Sequence, residues 1–239
     1  MKPLVSCVLV TRDRPDFFRQ ALRCFLEQDH PNKELVVVDD GEQPVGDLCS
    51  GVAGVTYVRL ARPTPTGSKL NIGIDAARGD ILQKLDDDDF YAPGFLSAAT
   101  ARLARARRPD PLVVWCCFAV LIAGEPRLYF SGHGWKPGGT LCFRRALWRK
   151  TPFRDLYASS DSWFIRDNAP AITRVCDASK YMVVRHGANT WHLITEDGAL
   201  KSVEVYFRRH PYPGTVGAFV GRRHAAFYRA LAARAPIVA

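Results

Sequence analysis

Short apolar runs rich in β-branched residues alternate with segments of helical spacing through the first hundred residues. Four runs have the composition of buried strands: Leu4 to Val10, Leu35 to Val38, Val55 to Leu60 and Ile81 to Leu85. Helices are predicted from Asp16 to about Glu27, from Gly67 to Ala77 and from Pro93 to about Arg107. This alternation indicates an α/β fold, Rossmann-like, in which helices cover both faces of a mostly parallel central sheet.

The second half of the chain is less regular, and it predicts a smaller C-terminal elaboration of this sheet. Leu112 to Ala123 is predicted as one long strand, with shorter strands over Thr140 to Phe143 and Tyr181 to His186. Helices are expected over Ser160 to Asp167 and Arg222 to Arg234. With 239 residues, 47% of them hydrophobic, the chain can bury the core of one large α/β domain.

Charge and cysteine usage limit the partners and the compartment. The formal net charge of +9 predicts attraction to phosphates, other polyanions or anionic membranes. No RNA-binding, zinc-finger or helix-turn-helix pattern supports a nucleic-acid partner. The seven cysteines show neither a CxxC pair nor zinc-site spacing, so we expect free thiols and a reducing, cytoplasmic compartment. No signal-peptide pattern is present, and the longest apolar stretch is too short to span a bilayer.

Four consecutive carboxylates, Asp86 to Asp89, directly follow the predicted strand Ile81 to Leu85. Adjacent like charges repel one another, so the run favours a bound cation. Carboxylate oxygens suit Mg²⁺ or Mn²⁺, which commonly bridge a carboxylate to substrate phosphates. The alternative is a solvated acidic turn that caps the helix beginning at Pro93.

A second acidic cluster, Asp39-Asp40-Gly41, also ends a predicted strand. A carboxylate in this place can accept hydrogen bonds from a ribose hydroxyl or a base N–H. The alternative is a plain turn, in which Asp and Gly are common. Because ligands of parallel sheets bind at the carboxyl ends of the strands, both clusters are expected on the ligand-binding edge.

The two clusters, in this order, resemble those of the family-2 glycosyltransferases of GT-A fold. The segments that carry the resemblance are Val5 to Pro15, Gln28 to Pro31, Glu34 to Gly41, Gly67 to Asn71 and Ala77 to Ile81, with Asp86-Asp87-Asp88 as the D-x-D motif. The resemblance implies an inverting, metal-dependent transfer of a sugar, of hexosyl type, from a UDP- or GDP-linked donor. The implied acceptor is a hydroxyl of a glycan, a lipid-linked molecule or another small molecule.

The resemblance also implies roles for individual residues. The implied nucleotide-sugar contacts are Thr11, Asp39, Lys69, Asn71, Asp86 and Asp87. Thr11 would lie beside the nucleotide, Asp39 would bind the base or ribose, and Asp86 would face the ribose or sugar. Asp88 would hold Mn²⁺ or Mg²⁺ on the diphosphate. The roles within the acidic run are ambiguous by one position, and Lys69 has the alternative of a solvated helix charge.

Beyond the first hundred residues the resemblance rests on shorter segments. Gly138-Gly139-Thr140 with Arg144-Arg145 resembles the acceptor-side segment, and Ser159 to Phe164 resembles the stretch with the catalytic base. Asp161 is then the implied base, although Ser160 stands where the family often has Glu. A helix cap is its alternative role. The other candidate carboxylates are Asp155 and Asp167.

Tyr181 to Thr190 resembles the late Arg-x-His-x-x-Asn segment of the family, with one residue missing between Arg185 and His186. His186 is the implied metal ligand and His192 is the alternative, since a neutral imidazole is a suitable ligand for Mn²⁺.

The expected organisation is a glycosyltransferase domain over residues 1–198, followed by an extension over 199–239 that packs on it. Within the domain, residues 1–100 form the nucleotide-binding half and 101–198 the acceptor half. The extension is basic and aromatic, and it predicts either a solvated basic face or contact with an anionic membrane or charged acceptor. The alternative functions are a nucleotidyltransferase and a catalytically inactive sugar-nucleotide-binding relative. The first would usually show a Gly-rich loop where Thr11 to Pro15 stands.

Overall fold

The computed structural model describes residues 2–187, 189, 193–194, 200–201 and 203–234. Its central sheet contains β1 (Val5–Thr11), β2 (Lys33–Asp39), β3 (Val55–Arg59), β4 (Ile81–Leu85), β6 (Leu112–Trp115), β9 (Cys142–Arg144) and β10 (Ile172–Val175). The strand order is β10-β6-β9-β4-β1-β2-β3. β9 runs antiparallel to both of its neighbours, and the other pairings are parallel.

A second sheet lies beyond the acidic run. Its strands are β5 (Phe90–Tyr91), β7 (Ala119–Ile122), β8 (Arg127–Phe130), β11 (Tyr181–Arg185) and β14 (Pro211–Thr215), in the order β14-β8-β7-β11-β5. β12 (Leu193–Ile194) and β13 (Leu200–Lys201) form a separate antiparallel pair. Because β4 ends at Leu85 in the first sheet and β5 begins at Phe90 in the second, the four aspartates connect the two sheets.

Helices pack on both faces of the central sheet, as predicted. The helices of the described residues are α1 (Pro15–Leu26), α2 (Gly46–Cys49), α3 (Thr66–Ala76), α4 (Phe95–Arg105), α5 (Arg145–Lys150), α6 (Ser160–Asp167), α7 (Glu204–Phe207), α8 (Val216–Val220) and α9 (Arg222–Ala232), with 3₁₀ turns at Gly138–Thr140 and Ala169–Ala171. Successive residues of β1 point to opposite faces. Leu9 therefore packs in one core with Phe18 of α1, and Val8 packs in the other with Leu70 of α3. The predicted α/β class with a mostly parallel sheet is confirmed.

The prediction of one long strand over Leu112 to Ala123 is wrong. The segment forms β6 and β7, which belong to different sheets. Between them the chain turns, and the N–H of Cys116 donates to the Val175 carbonyl at 2.8 Å while that of Phe118 donates to Ser131 Oγ at 2.9 Å. Every residue of the segment is buried, so its apolar composition gives no sign of the turn.

The C-terminal part of the chain contributes to the same core. β14 pairs with β8, and Tyr228 and Leu231 of α9 are buried in the cluster that contains Leu9. The Tyr228 hydroxyl donates to the carbonyl oxygen of Asp89 at 3.2 Å. α9 therefore supports the backbone of the acidic run from beneath. The division into domains over 1–198 and 199–239 stays a prediction.

The expectation that all cysteines are free thiols is wrong for Cys116 and Cys176, which form a disulfide with a Cα–Cα distance of 5.2 Å. They lie 60 residues apart and follow the paired ends of β6 and β10, so only the fold brings them together. The other five cysteines are buried free thiols: Cys7, Cys24, Cys49, Cys117 and Cys142. Over the described residues, no helix is both long enough and apolar enough to cross a membrane.

Candidate active site

The carboxyl ends of β2, β1 and β4 lie side by side at one edge of the central sheet. In the parallel registers, Thr11 of β1 pairs with Asp39 of β2, and Leu9 pairs with Leu85 of β4. The residues that follow β4 therefore emerge beside Thr11, and the two acidic clusters share this edge. The sheet brings them together because parallel strands end at the same side, which is where such sheets bind ligands.

The four aspartates alternate in exposure along the bend that joins β4 to β5. Asp87 and Asp89 are buried, with 6% and 5% of their surface exposed. Asp86 and Asp88 are partly exposed at the sheet edge, with 30% and 12% of their side chains accessible. This alternation presents the first and third carboxylates outward, the spacing expected of a D-x-D motif.

The inward-facing carboxylates have protein partners. Asp87 accepts a hydrogen bond from Thr11 Oγ1 at 2.7 Å and one from Arg14 Nη1 at 3.2 Å. Asp89 accepts from the Val184 N–H at 2.9 Å and from the Tyr181 hydroxyl. Burial, with the charge of Asp88, raises the pKa of Asp87 to about 6 and that of Asp89 well above its ordinary value. These two residues connect the acidic run to β1 and β11.

Asp88 lies at the centre of the outward-facing group. Its Oδ2 is 3.0 Å from Arg14 Nη1, 3.0 Å from His186 Nε2 and 3.2 Å from Asn189 Nδ2. Burial opposes ionisation, but the hydrogen bond from His186 and the charge of Arg14 lower the pKa of Asp88. The His186 ring stacks on Phe17 of α1 at a centroid distance of 4.7 Å, which fixes its orientation.

Asp86 and Asp161 share one buried cation, Lys84. The Lys84 ammonium forms an ion pair with Asp86 Oδ1 and lies 3.9 Å from Asp161 Oδ2. Burial by itself would lower the pKa of Lys84, but the charges of Asp86 and Asp161 raise it, so the ammonium stays protonated. Burial also raises the pKa of Asp86, despite its pairing with Lys84. The predicted base is thus placed beside the predicted sugar-facing carboxylate.

Two glycines allow this close approach. A Cβ on Gly138 would lie 1.6 Å from Asp161 Oδ2, and one on Gly139 would lie 2.6 Å from Asp86 Oδ2. Both distances are shorter than any van der Waals contact, so the segment Gly138–Thr140 can lie against the two carboxylates only with glycine at these positions. Asp161 is the second residue of α6, whose N-cap is Ser159, and its Oδ1 accepts from the Ser162 N–H at 2.7 Å.

Asp39 is fully buried, and both of its oxygens already accept hydrogen bonds. Oδ1 accepts from the Gly41 N–H at 2.8 Å, and Oδ2 accepts from the Val45 N–H and the Tyr57 hydroxyl, each at 2.9 Å. These bonds fold the segment after β2 back over the carboxylate. The base or ribose contact predicted for Asp39 stays a prediction, and the geometry adds a role in holding this turn.

Lys69 and Asn71, on α3, are also engaged by the protein. Lys69 is 5% exposed and pairs with Asp40 Oδ1 at 2.7 Å, so it is not the solvated helix charge of the alternative interpretation. Asn71 Nδ2 donates to the Phe153 carbonyl at 2.8 Å, and its Oδ1 accepts from Trp148 Nε1 at 2.8 Å. Asn71 therefore ties α3 to the segment after α5, and its predicted donor contact stays untested.

Residues 6–169 match the profile of glycosyl transferase family 2. The chain belongs to this family. An uncharacterized glycosyltransferase of Rickettsia typhi is 26% identical over 129 residues, which cover 54% of this chain and 40% of that protein. The putative colanic acid biosynthesis glycosyl transferase WcaA of Escherichia coli is 29% identical over 104 residues, 41% of this chain and 37% of that protein. The chain thus spans about two fifths of these relatives' length.

Solved structures show the same fold. S. aureus TarS 1-349 in complex with UDP-GlcNAc superimposes with a TM-score of 0.62 at 17% identity, covering 82% of this chain and 63% of that one. The mannosyltransferase PcManGT from Pyrobaculum calidifontis, in complex with GDP-Man and Mn²⁺, gives a TM-score of 0.57 at 18% identity, covering 77% and 57%. The GT-A fold expected from the sequence is confirmed.

Three residues at this sheet edge were not found by sequence reasoning. Lys84 bridges Asp86 and Asp161, Arg14 contacts Asp87 and Asp88, and the Tyr91 hydroxyl accepts from the Asp86 N–H at 2.8 Å and donates to the Gly139 carbonyl at 3.0 Å. A lysine inside the buried strand β4 was the available signal, because an unpaired buried ammonium is unfavourable.

Two of the alternative candidates, Asp155 and Asp167 for the base, lie within the described residues. Asp155 accepts from Ser68 Oγ, and Asp167 forms a two-point ion pair with Arg154 at 2.8 and 2.9 Å. Both carboxylates are thus held by surface partners on α3 and near α6, whereas Asp161 faces Lys84 and Gly138. His192, the alternative metal ligand, lies outside the described residues.

Proposed function

We propose that this family-2 glycosyltransferase transfers a hexosyl group from a UDP- or GDP-linked donor to an acceptor hydroxyl, with a divalent metal and with inversion. The observation that carries the proposal is the pairing of Asp88 Oδ2 with His186 Nε2, 3.0 Å apart at the carboxyl edge of the sheet. The two residues are 98 positions apart in sequence, so the fold converges on this point. Convergent polar groups of this kind are typical of a ligand site.

The donor set fits Mn²⁺ or Mg²⁺. Asp88 supplies a carboxylate oxygen and His186 an imidazole nitrogen, both suited to these ions. Within the described part of the chain, no third His, Cys, Asp or Glu joins them in a tight cluster. Two protein ligands leave positions for diphosphate oxygens and water, the usual arrangement for these ions at phosphate sites. When bound there, the ion would neutralise charge on the departing diphosphate as a Lewis acid.

Arg14 adds a second positive charge at this point. Its guanidinium lies 3.2 Å from Asp87 and 3.0 Å from Asp88, and 27% of the side chain is exposed. Guanidinium groups bind phosphate oxygens with two parallel hydrogen bonds. We infer that Arg14 contacts the diphosphate of the donor while Asp87 and Thr11 hold its position from below.

The proposed chemistry is a single displacement at the anomeric carbon. The acceptor oxygen forms the new bond as the bond to the diphosphate oxygen breaks, and the hydroxyl proton moves to Asp161 Oδ2. Asp161 is suitable because 31% of its side chain is exposed and its carboxylate lies against the acceptor-side segment at Gly138. Lys84 keeps Asp161 and Asp86 at a fixed separation. An attack from the opposite face inverts the anomeric centre.

The donor class is supported by two neighbours of the same fold, whose structures contain UDP-GlcNAc and GDP-Man with Mn²⁺.

For the acceptor, we propose a glycan or lipid-linked hydroxyl at an anionic membrane surface. The support is the exposed group Val205, Tyr206 and Arg209, with 52% and 37% exposure for the first two. Cosedimentation with phosphatidylglycerol vesicles, lost on Tyr206→Ser, would support it, and equal binding to neutral vesicles would contradict it.

Calorimetric titration with UDP, GDP, CDP and dTDP tests the function, first with Mn²⁺ and then with EDTA. We expect one diphosphate to bind at least about tenfold more tightly with Mn²⁺, a coupling of about 1.4 kcal/mol or more. Affinity that is equal under both conditions would exclude the metal-dependent site. Tight binding of a nucleoside triphosphate but of no diphosphate would instead favour a nucleotidyltransferase.

A further inference from the structure

A second group of ligating side chains lies away from the acidic run, at the ends of β6 and β10. The Sγ atoms of Cys116 and Cys117 and a ring nitrogen of His133 all lie within 4.8 Å of one another. Cys116 is also joined to Cys176. Two cysteines and one histidine therefore form a cluster that a third cysteine, Cys176, adjoins through the disulfide, although the sequence shows no zinc-site spacing.

The fold positions each member for a definite reason. Trp115 of β6 pairs with Val175 of β10 in parallel register, so the next residues, Cys116 and Cys176, leave the sheet side by side. His133 lies in the loop that follows β8, between two glycines with positive φ, 73° at Gly132 and 95° at Gly134. This loop conformation brings its Nδ1 to 3.9 Å from Cys116 Sγ.

We propose that Cys116, Cys117, Cys176 and His133 form a zinc site when the Cys116–Cys176 disulfide is reduced. Three thiolates and one imidazole are a standard tetrahedral donor set for structural Zn²⁺. With Zn–S bonds of about 2.3 Å, the sulfur atoms at the corners of such a tetrahedron lie roughly 3.8 Å apart. The ligand atoms of Cys116, Cys117 and His133 already lie within 4.8 Å of one another and need only small side-chain shifts, whereas the Cys176 sulfur must move away from that of Cys116 once the bond between them is broken.

The two states of the site exclude each other, because Cys116 cannot be bonded to Cys176 and bind zinc as a thiolate. Reduction of the disulfide takes two electrons and two protons and yields two thiols. A cellular dithiol can supply both, and it is itself oxidised to a disulfide. Binding of Zn²⁺ then displaces the thiol protons to the solvent. The site thus responds to the redox state of its surroundings.

The site connects to the acceptor side of the active site through the chain. The loop that carries His133 continues through Trp135 to Gly138 and Gly139, and the backbone N–H of Trp135 donates to the Cys116 carbonyl at 3.2 Å. These glycines lie against Asp161 and Asp86. Zinc would therefore join the loop at 131–137 to the ends of β6 and β10 and restrict the segment beside the base.

Cobalt binding tests the proposal, because thiolate ligands give Co²⁺ a charge-transfer absorption that carboxylate and imidazole ligands do not. The protein is reduced with a trialkylphosphine, which takes oxygen from water as the disulfide becomes two thiols, and Co²⁺ is then added. We expect one equivalent of thiolate-bound Co²⁺, displaced by Zn²⁺, in reduced protein and none in oxidised protein. Absence of this absorption in fully reduced protein, verified by thiol titration, would overturn the proposal.

Variants separate this site from other thiols. Cys117→Ser and His133→Ala should each weaken Co²⁺ affinity at least about tenfold, since even outer-shell partners of metal ligands are worth about 10- to 100-fold. Cys49→Ser, which removes a buried thiol on α2, is the matched control and should change nothing. Unchanged affinity in both ligand variants would contradict the assignment.

Cys176→Ser gives a test that does not depend on reduction. It cannot form the disulfide and keeps three ligands, so it should bind Co²⁺ with or without phosphine, more weakly than the reduced wild type. Failure of this folded variant to bind Co²⁺ through thiolates would overturn the proposal.

Hydrogen exchange over residues 131–137 should slow on addition of Zn²⁺ to the reduced wild type. Unchanged exchange would contradict the proposal that zinc joins this loop to the ends of β6 and β10.

Discussion

The ends of β2 and β4 both carry consecutive aspartates, and the two ends use them differently. After β2, Asp39 accepts two hydrogen bonds from its own turn and one from the Tyr57 hydroxyl of β3, and Asp40 pairs with Lys69 and accepts from the Thr64 N–H at 2.7 Å. After β4, Asp87 and Asp89 are turned inward, whereas Asp86 and Asp88 face the sheet edge. One acidic end is satisfied by the protein, and the other keeps two carboxylates directed outward.

This difference shows that a strand-ending aspartate pair is not by itself evidence of a ligand contact. What separates the two ends is exposure, since Asp39 and Asp40 are only 0% and 5% exposed, whereas Asp86 and Asp88 keep 30% and 12% of their side chains accessible. The β2 end has its own folded turn and the Tyr57 hydroxyl, while the outward carboxylates of the β4 end meet Lys84 of β4 itself and Arg14 and His186 from distant segments. The β4 end should therefore govern binding and chemistry, and the β2 end stability.

The largest effect is expected at Asp161, which shares Lys84 with the β4 end. Asp161→Asn keeps the shape and the acceptor for the Ser162 N–H, but it cannot take a proton. Loss of a general base typically lowers the rate by about 100- to 10,000-fold. We expect this loss in transfer rate, or in slow donor hydrolysis as its proxy, with unchanged melting temperature and nucleotide affinity.

Asp167→Asn is the matched control, since Asp167 ends the same helix and pairs with Arg154 at the surface. It should retain nearly full activity. If Asp161→Asn keeps its transfer rate while Asp167→Asn or Asp155→Asn loses it, the base lies at one of these carboxylates and Asp161 acts only within α6.

Asp88→Asn is expected to have the next largest effect. It removes the charge that pairs with both Arg14 and His186, so Mn²⁺-dependent nucleotide affinity should fall on the order of 100-fold, the upper part of the range for disturbed metal sites. Calorimetry with and without Mn²⁺ measures this. Asp16→Asn, on the exposed face of α1, is the control. A loss of affinity that is equal in EDTA would place Asp88 outside the metal site.

The two ends also show how far the sequence could predict the site. Asp88, His186 and Asp161 were chosen from motif resemblance, and the fold places each at the same edge because strand order and direction follow from the alternating pattern. Arg14 was missed, because its contacts with Asp87 and Asp88 join segments 73 and 74 residues apart, and the contact of Lys84 with Asp161 also depends on the fold. The break of Leu112 to Ala123 into β6 and β7 and the joining of Cys116 to Cys176 depend on tertiary contacts for the same reason.

Asp39→Asn tests the β2 end by its stability. Each carboxylate oxygen of Asp39 now accepts from a backbone N–H. The amide of Asn would place its NH₂ group at one of these two positions, so one buried backbone N–H would lose its acceptor. Such an unsatisfied group costs about 1–3 kcal/mol. Urea unfolding should show this loss, with a smaller one in Tyr57→Phe, which removes one of the three hydrogen bonds.

The predicted base or ribose contact of Asp39 can be separated from this structural role. Nucleotide affinity is compared with pyrophosphate affinity in Mn²⁺ for the folded variant. A loss for UDP alone would support the contact, and equal affinities for both ligands in variant and wild type would restrict Asp39 to the turn.

Asp87, an inward carboxylate of the β4 end, should affect the pH dependence of stability rather than ligand binding. Burial raises the pKa of Asp87 from 3.8 to about 6, so between these values the folded state holds a proton that the unfolded state has released. The stability that Asp87 contributes is therefore present below about pH 4 and is lost as pH rises through about 6.

Asp87→Asn keeps a hydrogen-bonding group beside Thr11 and removes this titration. In EDTA, the unfolding free energy of the wild type should fall more between pH 4 and pH 7 than that of the variant. Asp80→Asn, an exposed carboxylate with 65% of its side chain accessible, serves as the control and should leave the wild-type profile unchanged. An identical pH profile for Asp87→Asn would show that Asp87 is ionised throughout this range. The inward and outward carboxylates after β4 would then differ in exposure and not in ionisation.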